Sequence, residues 1–262
     1  MGKKKYFIIL KVAKNQISIG DMIRVLEIFK GHKYQIVADK KYNSFFKNFN
    51  GKNIVSYSKF KIQKNQNLNI INLVVGNKIV GAIFDINEYI TKKIDKISTF
   101  NIFKKLIKFR INNRLNKLKK KKYKIGINWI VPSSWKIKSY PQKKWQIIID
   151  TLNNYKNIEI SLQDKMPLNK YVNWIKSCDI VISVVGLGVH IARYFDKKII
   201  ILVGPTDFLE SKKDPLFYKI LPKMRCIIHK KKLNVYYKNC TCMQNIEEKK
   251  IINKVLKIAN SE

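Results

Sequence analysis

The stretch from residue 178 to residue 206 constrains the fold of this chain more than any other, because it places a helical pattern between two buried-strand patterns. Its apolar, largely β-branched runs, Ile180–Val184 and Ile199–Val203, are short enough for buried strands. The segment between them has apolar side chains at helical spacing, namely Val189, Ala192 and Phe195. Because parallel strands need a crossover of this kind, the stretch predicts a strand–helix–strand unit of a parallel sheet.

Ligands of open parallel sheets bind where the carboxyl ends of the strands meet the first turns of the following helices. Two short turns of this stretch fall at that edge, one after each predicted strand. We predict that they contact a phosphate-bearing ligand through Gly186, Leu187, Gly188, His190, Gly204, Pro205 and Thr206. For His190, a structural position at the start of the helix is an equal alternative.

The net charge raises the question of a polyanionic partner, because 54 Lys and Arg stand against 17 Asp and Glu and give +37. Only five of the 54 are Arg, and the lysines are spread through every segment instead of clustering on one face. We therefore favour solvated lysines over a nucleic-acid surface. The alternative is a surface that concentrates an anionic substrate or lies against anionic lipid.

Strand–helix alternation occurs in both halves of the 262 residues, and hydrophobic residues make up 46% of them, enough for real cores. A basic run, Lys119–Lys122, separates the halves. We predict two Rossmann-like α/β domains that face a cleft, residues 1–122 and 123–262.

The remaining elements are predicted from apolar runs and from helical spacing. The predicted strands are Tyr6–Val12, Tyr34–Ala38, Ile54–Tyr57, Leu68–Val75, Ile79–Phe84, Tyr123–Trp129 and Ile158–Leu162. The predicted buried helix stripes are Met22, Val25, Leu26, Phe29; Trp145, Ile148, Ile149, Leu152; and Leu168, Tyr171, Val172, Ile175. Two further helices are predicted at Thr99–Leu118 and Glu247–Ala259.

We find neither a cleavable targeting segment nor an apolar stretch of membrane-spanning length, and therefore expect a cytoplasmic protein. Its four cysteines, Cys178, Cys226, Cys240 and Cys242, give no disulfide framework in a chain of this length, so reduced thiols are expected. Cys240 and Cys242 have C-x-C spacing rather than the C-x-x-C of common zinc sites. We expect no bound metal.

A polar segment lies between the strand predicted from Tyr123 and the helix predicted to begin near Pro141. It contains Ser133, Ser134 and Lys138, two hydroxyls and one ammonium at the same sheet edge as the turns described above. A diphosphate needs such donors and a cation. On spacing alone, an ordinary polar loop is an equal alternative.

Asp21 follows the first predicted strand and stands at the start of the first predicted helix. A carboxylate at that position caps free N–H groups and interacts with the positive end of the helix dipole, which contributes about 0.5–2 kcal/mol. Taken alone, the position favours this structural interpretation.

Four motifs, in order, resemble glycosyltransferase family 9, the heptosyltransferases of lipopolysaccharide core synthesis. Ile19-Gly20-Asp21 is similar to the family's leucine-glycine-aspartate before its first helix. The segment SSWKIKSYPQKKW resembles its hydroxyl, lysine, aromatic, proline and tryptophan motif, and VGLGVHIARYFDKKIIILVGPT its His-x-Ala and Gly-Pro-Thr motifs. The run from Cys242 to Ile246 is similar to its late Cys-Met-x-x-Ile.

The resemblance implies a GT-B fold, with an acceptor in the first domain, which is shorter here than in the family, and an ADP-sugar in the second. It implies inverting transfer without a metal or other cofactor, and Asp21 as the general base that takes a proton from the acceptor hydroxyl. Ser133, Ser134 and Lys138 would bind the donor diphosphate and stabilise it as it leaves. The turn from Gly186 to His190 would face the phosphates or sugar, and the turn from Gly204 to Thr206 the nucleoside.

Two other functions stay open. Val185 and Gly186 stand where the family has an acidic residue and a small hydroxyl, so the chain could bind a nucleotide sugar or a partner without turnover. The net charge of +37 keeps a nucleic-acid-binding protein as the third hypothesis. The first hypothesis is a transferase with an anionic glycolipid or glycan acceptor and a peripheral contact with the inner membrane surface.

Overall fold

The computed structural model describes residues 6–10, 19–20, 23, 26, 34–38, 43–49, 54–56, 69–72, 122–207, 216–233 and 235–260. The chain divides into two compact units, Met1–Asn112 and Asn113–Glu262. The division falls ten residues before the boundary predicted from the basic run, and the predicted domain limits stay a prediction. Each unit is described by itself.

In the described part of the first unit, four strands form a parallel sheet in the order β3-β2-β1-β4. They are β1 (Tyr6–Leu10), β2 (Tyr34–Ala38), β3 (Ile54–Ser56) and β4 (Asn69–Asn72). Helical residues follow β1, and of these Ile23 and Leu26 are fully buried. A short helix, α1 (Asn43–Phe46), continues into a 3-10 turn, Lys47–Phe49. The buried ring of Phe45 packs against those of Phe46 and Phe49 in this segment.

Among its described residues, the second unit contains a parallel sheet of five strands and five α-helices. The strands are β5 (Tyr123–Asn128), β6 (Ile158–Leu162), β7 (Ile180–Val184), β8 (Lys198–Leu202) and β9 (Phe217–Ile220). The helices are α2 (Gln142–Asn153), α3 (Leu168–Ser177), α4 (Leu187–Tyr194), α5 (Ile227–Lys231) and α6 (Glu248–Asn260), of which α5 is a single short turn between β9 and α6.

The strand order of the second sheet is β6-β5-β7-β8-β9. From β5 the chain first moves outward to β6, and then returns to place β7 on the other side of β5. The connections that follow β5 and β7 therefore diverge at their carboxyl ends, which opens a crevice at that point of the sheet. This switch point is the place where the two predicted phosphate-contacting segments begin.

One face of this sheet is covered by α2 and α6. The predicted stripe of α2, Trp145, Ile148, Ile149 and Leu152, is buried there together with Ile251, Val255, Ile258 and Ala259 of α6. Each fully buried Ile or Leu side chain contributes about 1.5–3 kcal/mol of transfer free energy relative to exposure. Helices α3 and α4 also bury one side each. Their buried side chains include Tyr171, Val172 and Ile175 of α3, and Val189, Ile191 and Ala192 of α4.

The predicted α/β architecture is confirmed. Strands Tyr34–Ala38, Ile158–Leu162 and Ile180–Val184 have the predicted bounds, and the other predicted strands that are described agree to within a few residues. Strand Phe217–Ile220 was not predicted. The segments Ile79–Phe84 and Thr99–Leu118, with Met22, Val25 and Phe29, lie outside the described residues.

Two details differ from the prediction. Phe195 is not a buried helix residue but the half-buried cap that ends α4, and Tyr194 takes the buried position instead. The segment from Ser133 to Lys138 is not an irregular loop but a pair of 3-10 turns that meet at a kink at Trp135.

No helix among the described residues is both long and apolar enough to span a membrane.

Candidate functional site

The segments that follow β5 and β7 meet at the switch point of the second sheet. The 3-10 segment Ser133–Lys138 follows β5, and the Val185-Gly186 turn follows β7. The Lys138 ammonium donates a hydrogen bond to the Val185 carbonyl, with 3.4 Å between the two atoms. The structure thus brings together two of the three segments that the sequence assigned to donor binding.

The ammonium of Lys138 is partly buried beside an aromatic ring. Its ammonium lies 4.3 Å from the centroid of the Trp135 ring, and the ring itself is 41% exposed. Burial lowers the pKa of Lys138 from its ordinary value, because the charged form loses solvation there. In the part of the chain that the structure describes, no carboxylate forms an ion pair with Lys138. A bound anion would compensate the lost solvation.

The amino end of α4 follows directly after Val185, whose carbonyl accepts the hydrogen bond from this ammonium. Gly186 caps the helix in extended backbone (φ 173°), and no side chain caps the first turn. A Cβ atom at Gly186 would have no heavy atom within 4 Å, so the space in front of the helix is open. Because the first N–H groups of a helix are unpaired and carry the positive end of its dipole, they favour a phosphate.

Beneath this turn, a buried polar network joins β5, β7 and α3. Asn128 donates through Nδ2 to the Ser183 hydroxyl at 2.7 Å, and the Tyr171 hydroxyl donates to Asn128 Oδ1 at 2.8 Å. Burial raises the pKa of Tyr171 well above its ordinary value, so its hydroxyl stays a donor. The network fills the space against Gly188, where a Cβ atom would approach Asn128 Nδ2 and Tyr171 Oη to 2.3 and 2.6 Å.

The turn after β8 is buried, and its glycine serves packing. A Cβ atom at Gly204 would overlap Met243 Sδ at 2.1 Å and would lie 3.7 Å from Cys242 Cβ. Pro205 and Thr206 are also buried, with Thr206 only 5% exposed. The Gly204-Pro205-Thr206 turn therefore supports the segment that leads into α6, and its predicted contact with the nucleoside stays a prediction.

The other predicted site residues differ in their exposure. Ser133 and Ser134 are exposed on the same 3-10 segment as Lys138, while Leu187 and His190 are half-buried in α4. Asp21 lies outside the described residues. Ile19 and Gly20, which were predicted to belong to the loop before the helix, are helical.

Four residues of this region carried no predicted role: Trp135, Asn128, Tyr171 and Ser183. Ser183 could have been noticed as the one polar residue of its apolar strand, and Asn128 as a polar residue at the end of one. Since buried polar side chains are nearly always hydrogen-bonded, two of them in strands that pair predict a contact. Tyr171 gave no such signal, because it had the spacing of a core residue.

The fold defines a class of protein: a chain of two α/β units with parallel sheets, whose second unit has Lys138 and the start of α4 at its switch point. No protein-family model and no curated protein sequence matches the chain. Solved structures of glycosyltransferases with the GT-B fold, among them heptosyltransferases, match over nearly its whole length.

Three of these structures illustrate the similarity. The Escherichia coli heptosyltransferase WaaC with ADP-2-deoxy-2-fluoro heptose has a TM-score of 0.55 at 10% identity, over 97% of this chain and 100% of that one. A family 9 glycosyltransferase of Veillonella parvula has a TM-score of 0.54 at 11% identity, over 100% of this chain and 99% of that one. The iron-containing dodecameric heptosyltransferase TibC in complex with ADP-D-beta-D-heptose has a TM-score of 0.53 at 11% identity, over 99% of this chain and 77% of that one. At these identities the likeness shows the fold.

The two glycines of this site give a matched pair of variants. Gly188→Ala should lower the free energy of unfolding by about 1–3 kcal/mol, because its methyl group overlaps the Asn128–Tyr171 hydrogen bond. Gly186→Ala places its methyl group in open space on extended backbone, and should cost less than about 1 kcal/mol. Urea unfolding of both variants measures the difference, and equal losses would show that the network does not need the close approach.

Proposed function

We propose that this protein transfers a heptose-like sugar from a nucleotide diphosphate, ADP-linked donor to a lipopolysaccharide-core or other glycan acceptor. The transfer inverts the anomeric centre and uses neither a metal nor a cofactor at the reacting carbon. One observation carries the proposal above all: Lys138 contacts the Val185 carbonyl and so joins the two anion-binding segments at the switch point. Neighbours of the same fold that were solved with ADP-heptose or its fluoro analogue support the choice of donor.

On the donor side, the leaving diphosphate needs compensation for the negative charge that develops on it. Without a metal this must come from protein cations, hydroxyls and backbone N–H groups. Lys138 supplies the cation, Ser133 and Ser134 supply exposed hydroxyls on the same segment, and the first turn of α4 supplies N–H groups. Trp135 shields one side of the ammonium from water. In a drier site each of these interactions is stronger.

On the acceptor side, we propose Asp21 as the general base, on the resemblance of its motif alone. Its carboxylate would accept the proton of the acceptor hydroxyl as that oxygen attacks the sugar. The role requires the two units to face a common cleft, which is part of the proposal.

A second candidate function is nucleotide-sugar binding without turnover. Its support is the Val185-Gly186 turn, which offers no acidic side chain and leaves open space where the family motif places a polar pair. The same donor-binding groups would then serve recognition, and the assays below distinguish the two functions.

Donor binding is expected to depend on the charge of Lys138. ADP-heptose should bind the unaltered protein, and Lys138→Ala should weaken binding about 10- to 100-fold, as expected for a charge-assisted hydrogen bond of about 1.5–3 kcal/mol. Because the pKa of Lys138 is lowered in the free protein and an anion favours its protonated form, affinity should fall as pH rises through that pKa. Calorimetric titration over the alkaline range measures both effects.

Lys138→Arg is the matched control, since its guanidinium does not lose its charge in this range and the alkaline loss of affinity should disappear. ADP, UDP and GDP sugars and an oligonucleotide are titrated side by side. An unchanged affinity in Lys138→Ala would refute the phosphate role. Binding of the oligonucleotide alone would favour the nucleic-acid hypothesis.

Transfer is expected to depend on Asp21 while donor binding does not. Asp21→Asn should lower the rate of ADP release with ADP-heptose and heptose-deficient lipopolysaccharide about 10²- to 10⁴-fold, the usual contribution of a general base. Donor affinity should stay within about twofold. Asp150→Asn, at an exposed carboxylate of α2, is the control for loss of charge. No turnover in the unaltered protein would support binding without transfer, and lost donor affinity in Asp21→Asn would indicate a structural cap.

We also propose that the reaction takes place at the cytoplasmic face of the inner membrane, with the protein bound peripherally. The segment around α5 supports this, since its apolar side chains Met224, Ile227 and Tyr236 are 59%, 74% and 61% exposed. Exposed lysines accompany them, namely Lys223, Lys230, Lys231 and Lys232. Exposed apolar groups beside basic groups suit an anionic lipid surface, at about 1 kcal/mol per basic residue.

Vesicle cosedimentation tests this contact. The protein should bind phosphatidylglycerol vesicles and not phosphatidylcholine vesicles, and binding should weaken as salt rises. Ile227→Glu should lower the bound fraction severalfold, whereas Ile147→Glu, at a half-exposed position of α2, should leave it unchanged. Equal binding of both variants would remove the α5 segment from the proposal.

A further inference from the structure

Four side chains with metal-binding atoms converge between β9 and α6. They are Cys226, His229, Cys240 and Cys242, and their ligand atoms all lie within 4.8 Å of one another. Cys226 and His229 belong to the start and the turn of α5, and the other two to the irregular segment before α6. Three of the four are buried and Cys226 is half-buried.

The distances between these atoms are those of ligands around a common ion. With metal–sulfur bonds of about 2.3 Å and metal–nitrogen bonds of about 2.0–2.1 Å, tetrahedral ligation separates two sulfurs by about 3.8 Å, and sulfur from nitrogen by about 3.6 Å. Cys242 Sγ lies 3.6 Å from Cys226 Sγ and 3.6 Å from His229 Nδ1. Cys240 Sγ and Cys226 Sγ lie 3.4 and 2.9 Å from the same nitrogen. All four distances agree with those expected between ligands of one tetrahedral metal ion to within about 0.7 Å.

The imidazole of His229 is held in the tautomer that a metal ligand requires. Its Nε2 lies 3.1 Å from the Val235 carbonyl oxygen, which can only accept a hydrogen bond. Nε2 must therefore carry the proton, and in the neutral ring Nδ1 presents its lone pair to the three sulfurs. Metal-binding histidines usually have such a carbonyl or carboxylate partner on the other ring nitrogen. The Cys226 N–H also donates to Cys242 Sγ at 3.3 Å, which stabilises a thiolate.

Other interpretations of the cluster explain less of it. A disulfide has its sulfurs about 2.05 Å apart, and all four cysteines of the chain are free thiols. A catalytic Cys-His pair would need one thiol at Nδ1, whereas three surround it. Cysteines that merely fill a core would not need an oriented imidazole at their centre.

We propose that Cys226, His229, Cys240 and Cys242 bind one thiolate-preferring transition-metal ion in a closed, structural site, with Zn²⁺ or iron as the candidates and Zn²⁺ as the preferred ion. Three sulfurs and one imidazole nitrogen are a common ligand set of structural zinc, and tetrahedral sulfur-rich sites also take iron. Binding of a divalent ion releases the three thiol protons and involves no electron transfer. All four positions are taken by the protein, so no open position is left for a substrate.

The site would fix a part of the chain that has little other structure. It joins the short helix α5 to the segment before α6, because its ligands Cys226 and Cys242 are sixteen residues apart in the chain. Met243 follows directly and packs against Gly204 at the end of β8. The metal would thus anchor residues 226–243 to the second sheet, at the edge that carries the donor site.

The spacing C-x-x-H, ten intervening residues, C-x-C contains this ligand set. We expected no metal because the Cys240-Cys242 pair alone does not have C-x-x-C spacing. The informative pair was Cys226 and His229, whose separation of three residues places both on one helical turn.

Elemental analysis of the purified full-length protein tests the proposal. We expect about one equivalent of zinc or iron per chain, and a more than tenfold lower content in Cys240→Ser and in Cys242→Ser. Cys178→Ser is the matched control, because Cys178 is buried before β7, outside the cluster, and a serine can still donate to the Trp174 carbonyl as its thiol does. It should keep the full metal content. Iron in place of zinc at one equivalent would support the site and identify its ion.

Because the serine variants could fail to fold, the unaltered protein provides a second measurement. After removal of metal with a chelator under reducing conditions, Co²⁺ should produce the intense visible absorption of a tetrahedral thiolate complex, and Zn²⁺ should abolish it. A lower melting temperature of the chelated protein, restored by Zn²⁺, would also support the site. Purified protein without metal, and a Co²⁺ spectrum without thiolate bands, would overturn the proposal. Neither measurement uses donor or acceptor, so its outcome is independent of the proposed transferase activity.

Discussion

The pairing of β5 with β7 is the interaction on which the rest of the site depends. Their parallel register places Asn128 opposite Ser183, at the last paired position of β5. The hydrogen bond between these side chains ties the two carboxyl ends together, and Tyr171 adds α3 to the same network. Since the network is buried, a partner lost from it leaves a polar group unsatisfied at a cost of about 1–3 kcal/mol. The position of α4 against β5 follows from it, because only a glycine at position 188 fits between the amide and the phenol.

The sequence predicted the sheets well, because most of their strands are isolated apolar runs. Strands of an enclosed parallel sheet need apolar side chains on both faces, and β7 has five buried residues in succession. The stripe of α2 was equally predictable, since Trp145, Ile148, Ile149 and Leu152 leave only one face to bury. Neighbouring carboxyl ends in a parallel sheet then place Lys138 and Gly186 at one edge.

What the sequence did not predict depends on contacts between distant residues. The strand Phe217–Ile220 has only its two terminal residues buried, so its pattern is short and mixed, and it forms by pairing with β8. The helix α5, with only five residues, has almost no intrinsic stability and reads as a basic run. Gly188 was predicted to contact the ligand, because a local sequence pattern does not show which side chains pack against a glycine. The cysteine cluster was missed because its ligands come from two separate segments.

The contact between α2 and α6 has a consequence for how the second unit forms during translation. The first helix of this unit packs directly on its last one, so Trp145 and Leu152 stay partly uncovered until Ile251 and Val255 have been synthesised. At about 5–20 residues per second, the roughly one hundred residues in between take several seconds to emerge. During that interval β5, β6 and α2 expose an apolar surface to the solvent. Exposed apolar surface of this kind favours aggregation, and a stop codon before α6 would leave it exposed permanently.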